Sequence, residues 1–190
     1  NEAKPWFERL ARCTLAGFSI TEKRPAEADA DVVPMAPVGA AELYLPLFYF
    51  ARMHRLPMLA LNVDRATNRR VAAQGLPSVS SAEREGVGDP APASSSYRDR
   101  LFEWFKKHPA AGQDDRAASE RFERFVCAQQ FWDRAMAEAI AGARRDKRPL
   151  VVGIIGSGHI EYGDGVPHQL AALGVNDVAT ALPWRSDTDY

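Results

Sequence analysis

The run Pro149-Leu150-Val151-Val152-Gly153-Ile154-Ile155-Gly156-Ser157-Gly158-His159-Ile160-Glu161-Tyr162-Gly163-Asp164-Gly165 constrains this chain more than any other segment. Its first half is apolar with no polar alternation, the pattern of a strand covered on both faces of a parallel sheet. Its second half sets glycines at 156, 158, 163 and 165 among His, Glu, Tyr and Asp side chains. Glycine lets a backbone turn tightly and approach a ligand closely. A strand running straight into such a loop predicts an open α/β sheet, with ligand chemistry beyond the carboxyl ends of its strands.

The rest of the chain reads as elements that such a sheet needs. Trp6, Leu10 and Cys13 fall at helical spacing after Pro5, and a Pro/Ala-rich loop over 22–37 follows, with a short strand near Val32-Val33. Leu43, Leu47, Phe50 and Ala51 predict a helix over 40–54, followed by the apolar strand Leu56–Asn62. Asp64 or Asn62 caps a helix that ends near Gly75. Residues 75–96 are rich in Ser, Gly, Pro and Ala and read as a long loop, a lid or an insertion boundary. Leu101, Trp104 and Phe105 share one face of a helix over 97–108. Phe122, Phe125, Gln129, Trp132, Met136 and Ile140 then form a continuous stripe on the longest helix, roughly 117–145. A short helix over 168–173 and a last strand over 175–182 close the pattern. The expected architecture is one α/β domain over 1–190, a mostly parallel central sheet flanked by helices. A small helical subdomain, inserted over 76–125, completes it.

Charge and cysteine content narrow the function. With 24 basic and 25 acidic residues the net charge is −1, so no long-range field exists to hold a nucleic-acid backbone. Cys13 and Cys127 have no metal-like spacing and read as two free thiols. No apolar run reaches the ~20 residues that span a bilayer, and no apolar region follows Asn1–Trp6 as a signal peptide requires.

Candidate chemistry gathers at two strand ends, Asn62 with Asp64 and Arg65, and Gly156 through Asp164. His159 can ligate a metal or shuttle a proton, and Tyr162 can supply a phenolate to iron when a basic group lies near. Arg65 offers a planar fork for a carboxylate, with a surface arginine as the equal alternative. The dinucleotide fingerprint fails, because its last glycine would fall at Glu161, and neither a Walker motif nor an HExxH helix occurs. Trp132 and Met136 read as core packing. Asp133 and Glu138, five residues apart, lie on different helix faces and make no carboxylate pair. Tyr97, opening its helix, packs by default, with contact to a bound ligand as the alternative.

The closing run matches a G-x-G-H-x-x-x-G-x-G-[IV]-P pattern after a strand, Gly156 to Pro167 here. In this it resembles the ChaN-type haem-binding lipoproteins. Three upstream segments resemble the same family in the same order: Tyr44-Leu45-Pro46-Leu47-Phe48, Leu56 to Arg65, and Phe131-Trp132-Asp133-Arg134-Ala135-Met136-Ala137-Glu138-Ala139. The resemblance implies haem (iron) binding in bacterial iron acquisition, with Gly156, Gly158, His159, Tyr162, Asn62 and Arg65 around the ligand and His159 and Tyr162 nearest the metal. It also implies a place at the periplasmic face of a cell-envelope membrane, a homodimer that encloses haem, and an outer-membrane haem receptor as partner. The wider superfamily includes Tiki-type and TraB-type proteins, so a metal-dependent peptidase is the alternative. Residues 1–40 carry no G-E-x-H motif like that of the family's first strand, which weighs against hydrolysis more than against binding.

Overall fold

The expected stripe of Phe122, Phe125, Trp132, Met136 and Ile140 does form one helix, and the other described elements assemble around it. The computed structural model describes residues 44–107, 115–145 and 150–183. Its helices are α1 (Leu45–Met53), α2 (Arg65–Gln74), α3 (Ser95–Lys106), α4 (Asp115–Arg145) and α5 (Val166–Ala172). Short 3-10 turns lie at Leu76–Ser78 and Ser81–Arg84, and again at Ser157–His159 and Glu161–Gly163, just ahead of α5. The expectations for the helical spacing after Pro5, for Val32-Val33 and for Cys13 fall outside the described residues.

Local chemistry sets the helix ends. Asp64 accepts the Ala66 N–H at 2.6 Å and starts α2, which stops at Gly75 with φ 83°. Ser94 starts α3 by accepting the Tyr97 N–H at 3.1 Å. Pro167, whose missing N–H costs nothing in a first turn, opens α5.

Burial then organises around α4, which meets a different partner along each part of its length. Val126 packs with Tyr97 and Leu101 of α3. Ala128, Phe131 and Ala135 pack with Val63, Val71 and Val79. Met136, Ala137, Ile140 and Ala141 pack with Val166 and Leu170 of α5. The long loop before α3 is tied down by side chains. The buried Gln169 amide accepts the Ala91 N–H and donates to the Ala91 carbonyl, both at 2.8 Å, and Gln130 donates to that carbonyl at 3.0 Å. Glu138, paired with Arg134 at 2.6 Å, accepts the Gly88 N–H at 3.1 Å.

The parallel-sheet expectation is overturned. Among the described residues there is no strand and no ladder; the fold there is helical. The segments 56–61, 150–156 and 175–182 are irregular chain. An apolar run supplies strand propensity, but a strand exists only through hydrogen bonds to a neighbour. The same run also suits an extended segment lying against helices, and this is what 150–156 does. Val151 and Ile155 pack into the Ile140 cluster, while Leu150 and Val152 are 76% and 72% exposed. The reading of a segment covered on both faces therefore fails for this stretch.

Phe131 has no exposed surface and sits at the centre of the α2–α4 contact. Phe131→Ala is expected to lower the unfolding free energy by about 3–5 kcal/mol in denaturant titration. A change within about 0.5 kcal/mol, the range of ordinary surface positions, would contradict this packing.

Candidate functional site

Asp133 points from α4 into the protein and has no exposed surface. A buried carboxylate must be hydrogen-bonded, and two donors meet it from different elements. The Tyr97 hydroxyl of α3 donates to Oδ2 at 2.7 Å, and His159 Nδ1 of the glycine loop lies 2.6 Å from Oδ1. Trp132, the residue before Asp133, sets its ring against the His159 imidazole edge to face at 5.1 Å. One turn of α4 thus fixes both the hydrogen bond and the plane of His159. Because a carboxylate only accepts, Nδ1 carries a proton, and in the neutral ring the lone pair then lies on Nε2. Among the described residues the His159 ring makes no hydrogen bond other than that to Asp133.

The glycine loop is shaped to deliver this histidine. A Cβ on Gly165, which has φ 61°, would lie 2.3 Å from the His159 carbonyl oxygen and 3.2 Å from its Cα, so only glycine permits the chain to fold back there. A Cβ on Gly158 would meet Trp104 Cη2 at 3.3 Å, so the α3 indole lies directly on the loop. Tyr162 takes a left-handed conformation (φ 58°, ψ 15°), uncommon for a bulky residue, and the residue is 57% exposed. Arg100 of α3 sits 4.5 Å from that ring's centre and also ion-pairs with Asp164. Asp164 in turn accepts from Ser94 Oγ at 2.9 Å. The carboxylate therefore ties the loop to the start of α3, where helix polarity favours an anion.

The candidate residues divide. His159, Tyr162, Gly156 and Gly158 share the loop, Gly156 with an ordinary φ of −61°. Arg65 opens α2 behind the Asp64 cap. Leu61, beside Asn62, packs in the cluster of Ile155 and Ile160 at the foot of the loop. His159 pairs with Asp133, not with Asn62 or Arg65. His168 Nε2 lies 2.9 Å from the Pro92 carbonyl and His54 terminates α1, so both are held by local structure. Asp133, Tyr97, Arg100 and Trp104 are the residues that spacing does not bring forward. Trp104 in particular faces outward at 56% exposure, while Tyr97, Leu101 and Phe105 form the buried face of α3.

Burial, and next the charge of Asp133, push the Tyr97 hydroxyl well above its ordinary pKa of 10.0. In the unfolded chain this phenol ionises near 10.0, whereas in the fold it stays protonated. Above pH 10.0 the unfolded state therefore binds fewer protons, and stability falls as pH rises. Alkaline denaturation of the unsubstituted chain is expected to be steeper than that of Tyr97→Phe, by up to about 1.4 kcal/mol per pH unit. Identical alkaline limbs would contradict a Tyr97 that is buried and protonated.

Comparison with known proteins gives one positive result. No curated protein and no solved structure matches the chain. The family described as haem-binding uptake, Tiki superfamily, ChaN matches residues 37–170, which include α1 through most of α5, the Asp133–His159 pair and the whole glycine loop. Spanning more than half of the sequence, that match decides the assignment: the chain belongs to the ChaN family of haem-binding uptake proteins in the Tiki superfamily.

Proposed function

We propose that the chain carries haem as cargo in bacterial iron acquisition, with His159 Nε2 as the ligand to iron. The observation behind this reading is the 2.6 Å contact between His159 Nδ1 and the buried Asp133. Histidines that ligate a metal ordinarily donate their other N–H to a carboxylate, which fixes the ring and makes the remaining nitrogen a better donor. Haem iron is commonly held by such a histidine. Tyr162 is the second candidate donor. Its exposed ring lies against Arg100.

The residues fit the cargo in a second respect. A tetrapyrrole is flat and apolar at its centre, and exposed aromatic rings, Trp104 and Tyr162, flank the loop. Haem itself would contribute the iron centre; the chain contributes a preset nitrogen and apolar surroundings. We extend the proposal to a site of action at the periplasmic face of the cell envelope, with a second copy and an outer-membrane receptor as partners. A metal-dependent hydrolase is the alternative reading, and it rests on membership of the Tiki superfamily alone.

Haem titration followed by the Soret band tests the reading. The chain is expected to saturate with a shifted band. Asp133→Asn, which leaves the ring without its carboxylate, is expected to weaken affinity about 10- to 100-fold. His159→Ala should weaken it at least as much. An unchanged titration in His159→Ala would remove iron from this histidine.

A further inference from the structure

Trp104 is an exposed indole on α3 that packs against the glycine loop, and iron ligation by His159 does not require it. Its six-membered ring lies 3.3–3.5 Å from where a Cβ on Gly158 would stand, so it touches the residue immediately before His159. More than half of its surface nonetheless stays open to solvent. Leaving a large aromatic ring exposed forgoes the burial that its neighbours Leu101 and Phe105 obtain on the same helix. Together with Arg100, Phe102 and Glu103 it borders an open depression of about 390 Å³. Arg100, at the loop side of that depression, is already committed to Asp164 and to the Tyr162 ring. Trp104 and Phe102 are the exposed aromatic rings that border it.

We propose that Trp104 is the stacking wall of the site, and that the chain recognises the tetrapyrrole plane itself, with or without iron. This rests on the reading that haem binds at the glycine loop. The occupant follows from continuity: a macrocycle held at His159 is far wider than the one-residue step to Gly158, so it must extend over neighbouring surface. Trp104 is an exposed aromatic surface adjoining that step. Offset stacking between aromatic planes adds to apolar burial, and glycine at 158 keeps the indole close to the loop. Iron ligation by His159 and plane recognition by Trp104 are then separable contributions.

Metal-free protoporphyrin IX separates them, because it offers the plane without the iron. It is titrated against the full chain, with quenching of tryptophan fluorescence and porphyrin absorbance as readouts, alongside haem. The unsubstituted chain is expected to bind protoporphyrin saturably. Trp104→Ala should weaken that binding roughly tenfold and Trp104→Phe should restore part of it. Because the indole is exposed, unchanged melting temperatures of both variants show that the fold is retained. Equal protoporphyrin affinity in Trp104→Ala would overturn the stacking role and leave haem binding standing. Haem binding without any protoporphyrin binding would overturn it too, assigning the affinity to iron ligation. Failure of the unsubstituted chain to bind either compound would overturn the haem reading and this inference together.

Discussion

The Asp133 carboxylate, wholly removed from solvent on the central helix, is the constraint on which the arrangement around it depends. An ionised carboxylate buried without partners costs several kcal/mol or more, so its donors are required rather than incidental. One donor comes from α3 through Tyr97 and the other from the glycine loop through His159. The same carboxylate therefore joins three elements and orients the one imidazole in the loop. Stability and ligand chemistry meet at this atom pair, because the bond that satisfies the buried charge also turns Nε2 away from Asp133.

The loop is restrained from its other end as well. Gly165 lets the chain pass against the His159 backbone, and Asp164 anchors to Ser94 and Arg100 at the start of α3. Between these anchors the chain accepts a left-handed Tyr162, a conformation that costs about 1–3 kcal/mol for a bulky residue and persists only where the surroundings fix it. A rigid loop suits a carrier. A ligand nitrogen held in place before binding loses little further freedom when iron arrives, which favours affinity.

Much of this is legible in the residues, for identifiable reasons. Helical periodicity locates α4 and α3, and the Asp64 and Gly75 signals bound α2, because caps and stripes are local physics. The glycine loop and His159 stand out because glycines clustered among polar side chains mark a tight turn that can bring backbone close to a ligand. The sheet is not legible, since the apolar runs at 56–61, 150–156 and 175–182 speak for extended chain but not for a hydrogen-bonded neighbour. Asp133 escapes notice because spacing compares it with Glu138 on its own helix, while its partners lie 36 and 26 residues away in sequence. Spacing also puts Trp104 on the apolar face of its helix, although Tyr97, Leu101 and Phe105 already fill that face. Partnership between distant side chains leaves no periodic trace.

The central claim is that Asp133 holds His159 in one tautomer with Nε2 open. Long-range ¹H–¹⁵N correlation spectra of the ligand-free chain, with the histidine ring assigned through His159→Gln, test it directly. The account predicts that the neutral ring carries its proton on Nδ1, with Nε2 the nitrogen perturbed when haem is added. A His159 ring carrying its proton on Nε2, or one averaging freely between tautomers, would contradict it.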